Sequence, residues 1–356
     1  MKNIGIIIDD ITLKAGTERA VANLCNGLLN YYPKDYKITI ISIFSNSNDQ
    51  IFFSLHNDVK IHHLNCKKNT NKLSKIFWYF SLIKKLKKVI IQSEFKVVLG
   101  TTYIHNILLP IISNGSIKIG CEHEVYDYPS KPIIFVRKYL YKGLNKLVVL
   151  NNTEKERYSF LNNVKIIPNI ITFKNTSISN ITSKNIIAVG RLTYQKGFDL
   201  LVQIADIVVK QHPDWIFNIY GDGEDKEKLQ ALINEKQLQN NVILNGAIVN
   251  IDEKYIESSI FVLTSRWESF GLVLIEAMNF GLPLVSFNCV GPKNLIKEAY
   301  NGFIIQANDT VGFANKINYL IDNLNVRAQM GKNALECSKE FEDYKIIPLW
   351  HQLIQK

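Results

Sequence analysis

No apolar run in this chain of 356 residues approaches the roughly 20 residues that a membrane-spanning helix requires. The stretch Ile4 to Ile8 is apolar but short and stops at Asp9-Asp10. It reads as a buried strand and not as a signal peptide. Cysteine is scarce, with five residues scattered over the chain (Cys25, Cys66, Cys121, Cys289 and Cys337), and no pair has metal-ligand spacing. That argues against a disulfide scaffold or a thiolate zinc site and for free thiols in a reducing cytoplasm. No Asp-x-Asp metal motif is present, and no recognisable nucleic-acid module accompanies the net charge of +10. Acidic residues are scarce in one half only. Residues 1–180 hold 25 Lys/Arg against 12 Asp/Glu, whereas residues 181–356 hold 17 against 20. Only the first half is therefore expected to meet an anionic partner, and with no nucleic-acid module that partner is expected to be a membrane surface.

What is present is an ordinary globular composition, 47% hydrophobic and 21% charged, on a chain long enough for two domains. Short β-rich runs alternate with helical patterns throughout, which argues for parallel α/β sheets. In the first half the expected strands are Asn3–Ile8, Lys37–Ile43, Val59–His62, Val97–Gly100, Lys118–Cys121 and Lys146–Leu150. Between them lie helices at Glu18–Asn30, Leu73–Ile91 and Ile104–Ile112, and loops at 46–48 and 65–71. The segment Leu73–Ile91 mixes Phe77, Phe80 and Ile83 with Lys84, Lys85, Lys87 and Lys88. It reads equally as a packed helix with solvated lysines or as a basic amphipathic helix for an anionic membrane. Phe173–Lys184 is rich in Asn, Ser and Thr and is the expected linker. It divides a domain over 1–168 from one over 169–341, and the apolar tail 342–356 is expected to cross back to the first.

The stretch Thr264–Pro283, TSRWESFGLVLIEAMNFGLP, carries the most chemical information. A polar loop runs into a helical pattern from Gly271 to Phe280, and Gly281-Pro283 stops it. Two carboxylates, Glu268 and Glu276, lie eight residues apart. On a single helix they would be separated by about 12 Å and about 80°. Paired glycosidase carboxyls need roughly 5–9.5 Å, so this spacing suits a grip on the two ends of one long ligand instead. Between them, Ser269-Phe270-Gly271-Leu272 sits at a helix N-terminus, where free N–H groups and the helix dipole attract phosphate. Gly271 allows a ligand close to the backbone. An elongated anion with hydroxyls at both ends, such as a nucleotide sugar, fits. Further upstream, Gly190-Arg191-Leu192-Thr193-Tyr194-Gln195-Lys196-Gly197 sets two cations around a strand-to-helix turn, where they could meet a diphosphate. In the first half, Ala15-Gly16-Thr17-Glu18-Arg19 opens a helix, and Glu122-His123-Glu124 follows a strand end. Ligands gather at the carboxyl ends of parallel strands. His123 is therefore a candidate for hydrogen bonding or proton handling, with His105, after the preceding strand, as its rival.

These strings together resemble the retaining glycosyltransferases of family 4. Glu268-Ser-Phe-Gly through Glu276-Ala-Met is similar to the family's Glu-x7-Glu signature, and Gly190 to Gly197 to its Gly-Arg-x4-Lys-Gly element. The loop at Gly16 resembles Gly-Gly-x-Glu-Arg, with Ala15 in place of the first glycine. Gly221-Asp222-Gly223 resembles the family's Gly-x-Gly turn, and Asn301-Gly302-Phe303 its Asn-Gly-hydrophobic turn, with a further turn expected at Cys289–Pro292. The resemblance is specific over 186–303 and looser over 1–165. It implies a GT-B architecture, with two Rossmann-like domains facing a central cleft, the acceptor on the first and the donor on the second. It implies retaining transfer of a hexose from a nucleoside diphosphate sugar, with UDP as the expected nucleotide. Arg191 and Lys196 would bind the diphosphate, Glu268 sugar hydroxyls, Glu276 ribose hydroxyls and His123 the sugar. Gly16 and the Ser269–Leu272 backbone would complete the donor site. No metal cofactor is expected, since two cations can replace a divalent ion. The Arg-Trp-Glu-Ser-Phe-Gly string is similar to bacterial surface-polysaccharide enzymes, which implies a lipid-linked saccharide acceptor for O-antigen, capsule or exopolysaccharide. It also implies a peripheral position on the inner face of the cell membrane. A sugar-nucleotide epimerase and a non-catalytic nucleotide-sugar or glycan-binding subunit remain alternatives.

Overall fold

The computed structural model describes residues 1–68, 75–112, 115–171, 173 and 177–356. The chain forms two compact units, Met1–Ile170 together with Asp343–Lys356, and Ile171–Glu342. The first is built on seven parallel strands: β1 Lys2–Ile8, β2 Tyr36–Ser42, β3 Lys60–His63, β4 Val97–Gly100, β5 Ile117–Cys121, β6 Lys146–Val149 and β7 Val164–Ile166. Their spatial order is β3-β2-β1-β4-β5-β6-β7. The alternation of side chains along a strand divides the core in two. Ile4, Ile6 and Ile8 of β1 face a cluster with Val21, Leu28, Ile347 and Trp350, while Ile7 faces the other side, with Leu82, Leu86 and Leu109. The helix Asp343–Gln355 thus closes one face of the first unit by packing on the helix Gly16–Tyr31. Contact is close at Gly27, where a Cβ would lie 2.2 Å from Ile347 Cδ1.

The second unit holds six parallel strands: β8 Asn185–Val189, β9 Ile216–Tyr220, β10 Val242–Gly246, β11 Ile260–Leu263, β12 Leu284–Phe287 and β13 Gly302–Ile305. Their order is β10-β9-β8-β11-β12-β13. One cluster around Phe217, Ile219, Val262, Phe287 and Phe313 forms most of its interior. Each sheet reverses its winding direction once, between β1 and β4 in the first unit and between β8 and β11 in the second. Parallel sheets of this kind bind ligands outside the strand ends at such a reversal.

Several local expectations need correction. Cys289–Pro292 is not a simple turn: Cys289 caps the short helix Val290–Leu295, and Pro292 sits in its first turn, where a missing N–H costs nothing. Asn301-Gly302-Phe303 is also more than a turn, because Gly302 starts β13. A Cβ on Gly302 would lie 2.2 Å from Leu284 O, so glycine is what lets β13 pair with β12. The linker expectation at Phe173–Lys184 falls partly on residues 174–176, outside the described residues. What is described from Ser177 onward is fastened to the second unit, through Ser179 N–H to Phe280 O and Asn180 N–H to Ile256 O. The expected helix from Leu73 is described from Lys75, as Lys75–Ser93, and the expected loop 65–71 is described only to residue 68. A helix at Lys131–Leu140 escapes the sequence reading. Its fully buried side chain is a cation, Arg137, while Phe135, Val136 and Tyr139 are exposed, so the usual apolar stripe is inverted.

Candidate functional site

The loop after β8 and the loop after β11 leave neighbouring strands at the winding reversal of the second sheet. The first runs from Gly190 to Gly197 and the second from Thr264 to Gly271. Both depend on glycine. Gly197 has φ +64°, and a Cβ there would come within 2.2 Å of Thr264 O, so the two loops touch backbone to backbone. Gly271, at φ +86°, caps the helix Leu272–Asn279. That cap turns the chain at Glu268–Phe270 so that the Glu268 carbonyl accepts from Gly291 N–H at 2.8 Å.

The two loops bring Lys196 and Glu268 into contact. Lys196 Nζ donates to Glu268 Oε2 at 2.6 Å, and both side chains are largely shielded. The Lys196 stem lies along the bare face of Gly190, with Cγ, Cδ and Cε each 3.3 Å from where a Cβ would be. Arg191 is exposed, and its guanidinium has no partner among the described residues. Ser269 is half-buried. The side chains of Phe270 and Leu272 are packed into the interior, Phe270 edge-on to Phe341, so their backbone groups alone could meet a ligand. Cys289 lies beneath this site. Burial, reinforced by the charge of Glu268, pushes its thiol up to about 12, and it donates to Ser265 O as a neutral group.

Glu276 is placed differently from Glu268. The helix begins only at Leu272, so the two carboxylates do not share one helix and the spacing of about 12 Å estimated for that case does not describe them. Glu276 is fully buried and its Oε2 accepts from Tyr255 OH at 3.1 Å. The sequence reading expects this carboxylate to be open to a ligand; the structure covers it.

A clamp absent from the sequence reading joins the loops. Arg266 pairs with Asp199 through two hydrogen bonds, 2.9 Å from Nη1 and 2.6 Å from Nη2. Its Nη1 also donates to Tyr194 O at 2.7 Å, and its guanidinium stacks 3.9 Å over the exposed Tyr194 ring. The backbone of Arg266 donates to Gln195 O, and Gln195 Nε2 donates to Trp267 O. Every partner lies one to three residues from Lys196 or Glu268. The one signal for this in the sequence is that Arg266 stands two residues before Glu268; nothing points to Asp199 or Tyr255.

In the first unit, Gly16 is the exposed first residue of its helix, with Ala15 as N-cap. His105 is buried and bonded through Nε2 to Asp9 Oδ1 at 3.0 Å. Burial works to raise the Asp9 carboxyl, but the hydrogen bond and charge of His105 hold it below its usual value. His123 follows β5 and lines a cavity of about 20 Å³ with Thr101, Asn169 and Trp350, room for roughly one water. Burial pushes its imidazole down to about 4, so it is neutral at physiological pH. Its two flanking carboxylates diverge. Glu122 is buried and accepts from Tyr141 OH and from Asn106 Nδ2. Glu124 is pushed up to about 7 by burial and then by the charges of Glu122 and Asp9.

The fold and the second-unit site define a class. Two Rossmann-like units, one carrying a lysine–carboxylate contact and a free arginine at its winding reversal, suit an enzyme that handles a diphosphate ester. Comparison with known proteins makes the assignment. Residues 170–336 match the family model for glycosyl transferases group 1. An uncharacterised glycosyltransferase of Haemophilus influenzae is 31% identical, over 99% of this chain and all of its own length. A Campylobacter jejuni α-1,4-N-acetyl-D-galactosaminyltransferase, whose name gives it a diphospho-undecaprenol-linked saccharide substrate, is 28% identical over 99% of this chain and 98% of its own. The crystal structure of a mutant of S. aureus TarM, in complex with fondaparinux, α-GlcNAc-glycerol and UDP, superposes with a TM-score of 0.83 over the whole of both chains at 17% identity, a likeness of the GT-B fold. The chain belongs to the group 1 glycosyltransferases.

Proposed function

We propose that this glycosyltransferase moves a hexose, with retention of configuration, from a UDP-sugar to a lipid-linked saccharide. The reading places it in synthesis of a cell-surface polysaccharide such as O-antigen, capsule or exopolysaccharide, at the inner face of the cell membrane. The observation that carries the reading is the 2.6 Å contact between Lys196 and Glu268, with the exposed Arg191 on the same loop as Lys196. A cation and a carboxylate in contact are already paired for the two ends of the reaction centre. When the donor binds, Lys196 exchanges its carboxylate for the diphosphate, and Glu268 turns to the sugar hydroxyls. As the glycosidic bond breaks, negative charge grows on the departing diphosphate, and stabilising it is the largest catalytic contribution. Arg191, Lys196 and the N–H groups around Gly271 supply that. Glu276 is assigned the ribose hydroxyls by its place in the motif; it is covered in this structure, so the role requires its bond from Tyr255 to give way and the carboxylate to become exposed. His123, being neutral, contributes hydrogen bonds to the sugar and no charge. An acceptor hydroxyl then attacks the anomeric carbon from the face that the diphosphate leaves, without an enzyme nucleophile, and its proton passes to the departing diphosphate oxygen. UDP and a lipid-linked acceptor are supported by TarM and by the Campylobacter relative.

The test is a donor screen. The purified protein is incubated with each common UDP- and GDP-sugar, with and without a membrane lipid extract, and nucleoside diphosphate release is followed. Release that needs the extract and disappears in Glu268→Ala supports the reading. A changed sugar nucleotide produced without any acceptor would replace it with epimerisation. Two protein cations do the work of a divalent ion in this scheme, so activity should survive a chelator. Loss restored by Mg²⁺ or Mn²⁺ would overturn that part.

A further inference from the structure

The outward faces of two helices in the first unit share an unusual composition. On Lys75–Ser93, the side chains of Leu82, Leu86, Val89 and Ile90 enter the core. The opposite side exposes Phe77 (74%), Phe80 (62%) and Ile91 (63%) together with Lys84 and Lys88. At 100° per residue these five positions fall within an arc of about 80°. On Lys131–Leu140, Arg137 is buried, and Lys131, Phe135, Lys138 and Tyr139 share an outward arc of about 100°. Phe135 and Tyr139 are about 60% exposed and pack edge to face, and Lys142, just past the helix, lies 5.8 Å above the Tyr139 ring. The helix Tyr103–Ile112 packs against both, and side chains of all three enter or pack on the same core cluster, so the three belong to one layer over that side of the first sheet. Neither Lys75–Ser93 nor Lys131–Leu140 contains an Asp or Glu.

We propose that this two-helix face docks on an anionic lipid bilayer, with Phe77, Phe80, Ile91, Phe135 and Tyr139 entering the headgroup–acyl boundary and the lysines meeting lipid phosphates. The occupant follows from the chemistry. Large aromatic and aliphatic side chains left in water have something to gain only from an apolar phase. Lysines among them, with no acidic residue, match a negative surface in sign. A polyanion such as RNA would satisfy the lysines and could stack its bases on Phe77 and Phe80, but it offers nothing to the aliphatic Ile91, and the chain carries no recognisable nucleic-acid module. No helix among the described residues is long and apolar enough to cross a membrane, so the contact is interfacial. The inference deepens the reading of a membrane-held acceptor, yet its test needs no transferase activity, so either can fail alone.

The experiment is co-sedimentation of the full chain with vesicles of phosphatidylcholine alone or mixed with phosphatidylglycerol, over a salt series. Wild type should bind the mixed vesicles, and binding should weaken with salt. The double variant Lys84→Gln/Lys88→Gln should bind about 30-fold more weakly, taking about 1 kcal/mol per lysine. Phe77→Ser/Phe80→Ser should reduce binding at every salt concentration, while Lys210→Gln/Lys228→Gln on the second unit should change nothing. All six positions are exposed, so folding is not at stake. Phe77→Trp, with lipids brominated near the headgroup, should show quenching beyond that of wild type. No sedimentation, or sedimentation unmoved by both first-unit pairs, would overturn the proposal. So would loss in the lysine pair alone together with equal binding to an RNA homopolymer.

Discussion

Replacing Arg266 by alanine should separate the geometry of the site from its mere presence. Arg266 makes three kinds of contact: the two-bond pair with Asp199, the bond to Tyr194 O and the stack on the Tyr194 ring. Asp199 is 42% exposed, so the pair is worth about 1 kcal/mol after screening. The charged bond to a carbonyl adds about 1.5 kcal/mol and the exposed cation–π contact about 0.5 kcal/mol. Together they come to about 3 kcal/mol, which for a unit of this size means a fall in Tm of about 6–12 °C. Arg266 touches no part of the proposed substrate site. Its effect on turnover comes through the loops that hold Lys196 and Glu268, where a misplacement of about 1 Å costs on the order of 100-fold in rate. Arg266→Lys keeps the charge but loses the planar fork, and should recover part of the stability and little of the rate. The assays are thermal unfolding and nucleoside diphosphate release at saturating donor. A variant that unfolds earlier but turns over at the wild-type rate below its Tm would refute the positioning role and leave Arg266 as a structural fastening.

Three further outcomes follow from the same geometry. Gly197→Ala places a Cβ 2.2 Å from Thr264 O at a positive φ, and should cost at least about 2 kcal/mol in urea unfolding; a neutral result would mean that the two loops can part freely. Burial, only partly offset by the Tyr126 N–H bond, pushes Glu154 up to about 7, so the folded state keeps a proton that the unfolded chain loses near pH 4.3, and stability falls as pH rises between those values. Glu154→Gln should therefore gain on wild type by on the order of 2 kcal/mol between pH 4.5 and 7.5, and a difference independent of pH would sink the assignment. Glu268→Gln removes the anion that competes for Lys196, so calorimetry should show UDP binding tightened by roughly 3- to 10-fold while transfer is lost; weakened binding would mean that Glu268 holds Lys196 in place for the nucleotide.

The sequence made visible what depends on local pattern. Apolar runs at β1, β4, β8 and β11 announce parallel strands, and the order in which they alternate with helices leaves few other folds for a chain of this length. Gly190 to Gly197 and Thr264 to Pro283 are legible because their function is written in consecutive residues: glycines that admit close approach, and cations and carboxylates at fixed spacing. What was not legible depends on pairs far apart in the chain. Arg266 finds Asp199 across 67 positions, and Tyr255 covers Glu276 across 21. Neither partner stands in a motif, and only the register of β8 beside β11 brings the first pair together. The helix Lys131–Leu140 was missed for the opposite reason. Periodicity finds helices that bury apolar residues, and this one buries a guanidinium among Tyr126, Tyr141 and Tyr158 and turns its aromatics outward. A pattern that contradicts the rule for burial carries information of its own: the same inversion that hid the helix from the sequence reading is one of the two observations from which the membrane face is proposed.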